Sequence, residues 1–105
     1  MNAAGLLNVL AFHQGREHGI NAQQLAQVAG LNERQVRALV SELREEGIAI
    51  SATPATGYYM AVTPAELQES CKFLHDRAMR SLLLASRMQK ISLPDLLGQL
   101  RLNQA

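Results

Sequence analysis

Residues 21–60 read NAQQLAQVAGLNERQVRALVSELREEGIAISATPATGYYM, and this stretch decides the fold. Asn21 is placed to cap a helix, with Gln24 three residues on completing a capping-box pattern. Leu25, Val28 and Ala29 supply that helix's apolar face, and Ala26 is small enough for a neighbouring helix to cross closely. Gly30 ends it, because a left-handed position after a helix favours a residue without Cβ. Asn32 and Gln35 repeat the capping pattern. Val36, Leu39, Val40 and Leu43 then follow the 3-4 spacing of a buried helix face, closed by Gly47. Ile48 to Ser51 and Tyr58 to Val62 read as two strands, separated by a turn holding Pro54 and Gly57.

Upstream, Leu6, Leu7, Val9, Leu10 and Phe12 give a first helix from Ala3 to His13 a broad apolar stripe, and Gly15 to Gly19 reads as a polar loop. Helix, helix, turn, helix and hairpin in this order make a winged helix-turn-helix. Downstream, Thr63-Pro64-Ala65-Glu66 is a strong helix start, with a cap, Pro at the first helical position and Glu at the third. No breaker follows until Ser92, so this helix is expected to run for about 28 residues, roughly 42 Å. Ser92 caps a short last helix, Leu93 to Leu102. The fold class is therefore mainly α with a small β-hairpin: a winged helix-turn-helix over 1–62, then a helical extension over 63–105.

The run VRALVSELREEGIAISATPATGYYMA resembles the winged-helix domain at the N-terminus of the biotin repressor and related bacterial regulators. Leu43, Gly47, Ile48, Ile50, Gly57 and Tyr58 carry the likeness, with Leu25, Ala26, Gly30, Leu31, Val36 and Leu39 matching upstream. The resemblance implies a bacterial or phage DNA-binding protein in transcription regulation. This chain departs from the pattern in two ways. No sensing or enzymatic domain follows the winged helix, and the wing tip Ser51–Gly57 has no Lys or Arg.

Charge and composition qualify that expectation. The 105 residues carry a net charge of +1, low for a nucleic-acid binder. Residues 1–47 hold four cations and five acids, and residues 64–105 hold six cations and four acids. On the third helix, Arg34, Arg37, Ala38, Ser41 and Glu45 lie opposite the apolar face. Arginine is the commonest specific reader of guanine. Asn32, Gln35 and the hydroxyls of Thr53 and Thr56 complete the expected DNA-binding set. Glu42, Glu45 and Glu46 oppose it unless only the helix's N-terminal half enters the groove.

Leu67, Cys71, Leu74, Ala78, Leu82, Ala85 and Met88 mark the long helix as a dimerisation surface, Cys71 acting there as a buried small hydrophobe. The single cysteine excludes an intramolecular disulfide and fits a reducing, cytoplasmic setting. Cys71 and His75 are only half a metal site, so no metal or cofactor is expected. No catalytic motif appears, and an enzyme is not expected. No stretch is apolar enough for a membrane span. The expected partners are double-stranded DNA and a second copy of the chain, with a protein as a further possibility. The function implied is a homodimeric, sequence-specific transcriptional regulator. Two alternatives share the scaffold: a protein-interaction adaptor, and a replication or recombination accessory factor.

Overall fold

The computed structural model describes residues 1–100. Leu102, expected at the end of the last helix, lies outside them. The chain is mainly helical with one two-stranded antiparallel hairpin: α1 (Ala3–Leu10), a 3-10 turn (Arg16–His18), α2 (Ala22–Ala29), α3 (Glu33–Glu45), β1 (Ile50–Thr53), β2 (Gly57–Met60), α4 (Pro64–Gln89) and α5 (Leu93–Leu100). The mainly α class with a hairpin is as the sequence predicts. Two compact units are present, the first from Met1 to Ser70 and the second from Cys71 onward.

In the first unit, local chemistry sets the helix ends. Asn21 Oδ1 accepts from the Gln24 backbone N–H at 2.8 Å, and Asn32 Oδ1 from that of Gln35 at 2.8 Å. The Gln35 carboxamide returns a bond to the Asn32 N–H at 3.0 Å, so the capping box at α3 is complete. Gly30 and Gly47 both take positive φ, 70° and 90°. The next residues, Leu31 and Ile48, reach back to the carbonyls of Ala26 and Leu43, which closes both helices.

Leu6 and Leu10 from α1, Leu25, Ala26 and Ala29 from α2, Val36, Val40 and Leu43 from α3, and Ile20 and Ile50 form one buried cluster. Ile50 pairs with Met60, Ser51 with Tyr59, Ala52 with Tyr58 and Thr53 with Gly57. Strand alternation therefore turns Ile50, Tyr58 and Met60 onto this cluster, as their packing confirms.

Several expectations need correction. α1 stops at Leu10, short of His13. Phe12 and His13 donate to carbonyls only three residues back, and the His13 carbonyl is taken by the Met60 N–H at 2.8 Å. Phe12 is thereby left 86% exposed, outside the apolar stripe. Val28 is also exposed, and Leu39 is half-buried.

The loop at 15–19 is more ordered than its polarity suggests. It holds the 3-10 turn, and Ile20 then exchanges two backbone hydrogen bonds with Tyr58, at 2.9 and 2.8 Å. A one-residue third strand thus lines the hairpin. β1 begins two residues later than predicted because Ile48 is consumed in closing α3, and the Ile50 N–H donates to the Ile48 carbonyl. β2 ends at Met60 because the Val62 N–H is taken by Glu66.

α4 starts where the sequence says, with the Thr63 hydroxyl accepting from the Glu66 N–H at 3.1 Å. It ends at Gln89, where Lys90 adopts φ 58° and the Ile91 N–H returns to the Ser86 carbonyl at 3.0 Å. Lys90 is the one non-glycine residue with positive φ among those described. In the second unit Ser86 and Leu96 are buried, and Ser92 caps α5 through the Asp95 N–H at 3.2 Å.

Candidate functional site

α3 presents three lines of side chains to solvent. Arg34, Ala38, Ser41 and Glu45 run along the line opposite the buried Val36, Val40 and Leu43, and all four are exposed. Arg37 and Arg44 lie seven residues apart on one flank. Gln35, Glu42 and Glu46 lie on the other. Acids and arginines are interspersed along α3 in sequence; in the fold Glu42 and Glu46 fall on the flank away from Arg37 and Arg44, while Glu33 lies one turn before Arg37 and Glu45 shares the line of Arg34.

The basic flank faces the hairpin, because the Arg44 Nε donates to the Ile50 carbonyl at the start of β1 at 2.8 Å. Arg44 is half-buried, and burial pushes its guanidinium below the usual arginine range, opposed in part by Tyr58. Sequence reasoning gave Arg44 no role. Its only signal was its spacing from Arg37. The ion pairs among the described residues are Arg16–Glu69 and Lys72–Asp76, so Arg34, Arg37 and Arg44 are all without an acidic partner.

The other expected DNA contacts are arranged less favourably. Asn32 and Gln35 are exposed but hold each other's backbone in the capping box. The wing hydroxyls close on themselves. Thr53 Oγ1 lies 2.6 Å from Thr56 Oγ1 and accepts from the Thr56 N–H at 3.0 Å, and the Thr56 hydroxyl reaches the Gly57 carbonyl at 3.1 Å. These bonds tie the turn and leave the wing with little to offer a phosphate.

A shallow cleft of about 450 Å³ lies between the 3-10 turn and the start of α4, lined by residues including Gly15, Arg16, His18, Val62 and Glu66. Its Glu66 and Arg16 side chains are already engaged. The Glu66 carboxylate accepts from the Val62 and Arg16 N–H groups, both at 2.9 Å. These bonds hold Glu66 below the usual carboxylate range. Arg16 lies against the Tyr59 hydroxyl and Glu69, which together raise its guanidinium above the usual arginine range. The cleft is a joint between the winged helix and α4, not an open site.

On α4, Leu67, Cys71, Leu74, Ala78 and Met88 are exposed, while Leu82 and Ala85 are half-buried. Cys71 is a free thiol, exposed in the single chain. Among the described residues no three His, Cys, Asp or Glu side chains gather as a metal site would require, and no helix is long and apolar enough to cross a membrane.

Three helices, a complete turn and a hairpin with a third short strand define a winged-helix protein. The family model described as Replication protein A C terminal matches residues 1–53 of the 105, and the chain belongs to that family. Searches of curated proteins and of solved structures gave no match. The family overturns the biotin-repressor likeness and, with it, the transcriptional role and the bacterial or phage origin which that likeness implied. The reason is physical. Leu43 and Ile50 are core, and Gly47 and Gly57 have positive φ. The residues that carried the likeness are those any winged helix needs to fold, so they report the scaffold and not the family.

Proposed function

We propose that the chain is a non-catalytic replication accessory module that engages duplex DNA through the exposed N-terminal half of α3. One observation carries this reading: Arg34 and Arg37 stand exposed, without acidic partners, on a face from which Glu42 and Glu46 are turned aside. Arg34 and Arg37 are the base or phosphate contacts, with Ala38 and Ser41 lining the same surface. Each good bidentate arginine contact adds about 1–3 kcal/mol of discrimination. The segment 63–105, with its exposed Leu67, Leu74 and Met88, is proposed to pair two copies, which would give two weakly charged heads the advantage of acting together.

The test is a salt-dependent binding titration against a short mixed-sequence duplex, followed by in-vitro selection. The expected result is log affinity falling linearly with log salt, and weakened binding for Arg34→Ala and Arg37→Ala. The cation-free wing with its internally bonded hydroxyls favours a second reading, a protein-docking adaptor of the same replication family. No duplex binding at low salt would decide for the adaptor.

A further inference from the structure

Arg44 is the least expected feature of α3. A half-buried guanidinium costs free energy unless its charge is met. Here one N–H, on Nε, is used by the Ile50 carbonyl, and no carboxylate among the described residues lies within ion-pair distance. Burial lowers its pKa from the ordinary arginine value, opposed in part by Tyr58, and the guanidinium stays charged. The Ile50 bond also fixes the fork. With Nε anchored, the two terminal nitrogens have a defined direction, which lowers the entropy lost when they bind an anion.

Arg37 and Ser41 precede Arg44 by seven and three residues, so all three share one side of the helix. Arg37 and Arg44 are about 10.5 Å apart along the axis at roughly 1.5 Å per residue.

We propose that Arg37, Ser41 and Arg44 form a phosphate-binding edge between α3 and β1 that grips the backbone of one DNA strand, with Arg44 a fixed anchor. The edge rests on the DNA reading given above and adds to it a sequence-independent contact. Phosphate contacts set orientation and carry no base information. On this division Arg34, on the central line of α3, faces the bases, and the Arg37–Arg44 flank follows the backbone. The edge supplies beside the wing the charge that the wing itself lacks.

The experiment measures duplex affinity of the full chain between about 50 and 200 mM salt, for the wild type, Arg37→Gln and Arg44→Gln. Each lost phosphate contact flattens the slope of log affinity against log salt by about 0.9. Arg44→Gln is expected to show that loss equally on unrelated sequences, and Arg44→Lys, which keeps the charge, to retain the slope. If the wild type ignores duplex DNA, the DNA reading itself fails and the edge with it. If the wild type binds and Arg37→Gln flattens the slope, but a folded Arg44→Gln does not, the edge alone is overturned.

Because Arg44→Gln removes a bond to β1, a second measurement is made on the wild type: the guanidinium ¹⁵N signals of Arg44 during titration with the same duplex. A shift of the terminal nitrogens supports the edge, and their constancy overturns it. A polyglutamate peptide that displaces the duplex at equal affinity would assign the edge to an acidic protein partner and overturn the phosphate assignment.

Discussion

Replacing Gly57 by alanine tests the least obvious contact in the fold. Gly57 takes φ 73° at the start of β2, and a Cβ placed there would sit 2.4 Å from the Ile20 carbonyl oxygen and 2.8 Å from the Asn21 nitrogen. Both obstacles are backbone, held by the two bonds between Ile20 and Tyr58. Two costs therefore combine. The left-handed conformation costs an alanine about 1–2 kcal/mol. Forcing an extra carbon into filled space costs about 1–3 kcal/mol more, for a total of about 2–5 kcal/mol.

Gly30 is the matched control, because it has nearly the same φ, 70°, with nothing within 4 Å of its would-be Cβ. Gly30→Ala should lose only the conformational part, about 1–2 kcal/mol. The entropy an alanine removes from the unfolded chain is common to both variants and cancels in their difference. Urea unfolding followed by circular dichroism gives both values, and an unchanged m-value shows that the unfolded states are comparable. In thermal unfolding each kcal/mol corresponds to about 4–8 °C for a domain of this size. Equal losses for the two variants would refute the close approach of residues 19–21 to the hairpin, and with it the third strand.

Two further outcomes follow from local bonding. Asn32→Ala removes the capping box at α3 and should cost about 0.5–2 kcal/mol, read as a lower melting temperature; no change would mean that Asn32 does not hold the α3 terminus in solution. Glu66 has a lowered pKa through the N–H groups of Val62 and then Arg16, so its stabilisation is full above its ordinary value of 4.5 and is lost as the pH falls through the lowered folded-state value. Glu66→Gln should therefore be less stable than the wild type at neutral pH, with the gap closing in acid. A gap that stays constant across that range would count against the carboxylate's role at the joint.

What the sequence could convey depended on how far each interaction reaches. Asn21, Asn32, Gly30, Gly47 and Thr63 were readable because a cap needs only partners within a few residues. Phe12 and Val28 were not, because apolarity and spacing nominate a buried face while packing decides which nominees are covered. Phe12 fell beyond a helix end set by the His13–Met60 bond, a contact 47 residues apart in sequence. The strand at Ile20 has one paired residue and no alternation to betray it. Its trace lies in Gly19 and Gly57, which make room for each other's strands: a Cβ on Gly19 would meet the Thr56 carbonyl oxygen at 1.9 Å. The arginines of α3 were legible as candidates, yet Arg44 was not, since its position depends on a bond to β1.

The same limit explains why the scaffold was readable while the family was not. A winged helix constrains its core, caps and turns, and those positions look alike whether the protein serves transcription or replication. Partner choice resides on the remaining surface, where the order of charges in sequence misleads. Arg34, Arg37, Glu42, Arg44, Glu45 and Glu46 read in line as a near-neutral helix. Wound at 3.6 residues per turn, Arg37 and Arg44 fall beside β1 with Glu33 one turn before Arg37, Arg34 and Glu45 fall on a central line, and Glu42 and Glu46 fall on the far flank. Net charge therefore understates what α3 can bind. An anion approaching from the hairpin side meets Arg37 and Arg44 against the single acid Glu33, while one approaching from the far side meets Glu42 and Glu46 with no arginine. Direction of approach, more than total charge, selects the partner, and a DNA strand laid along the hairpin side is the arrangement in which the acids of α3 oppose binding least.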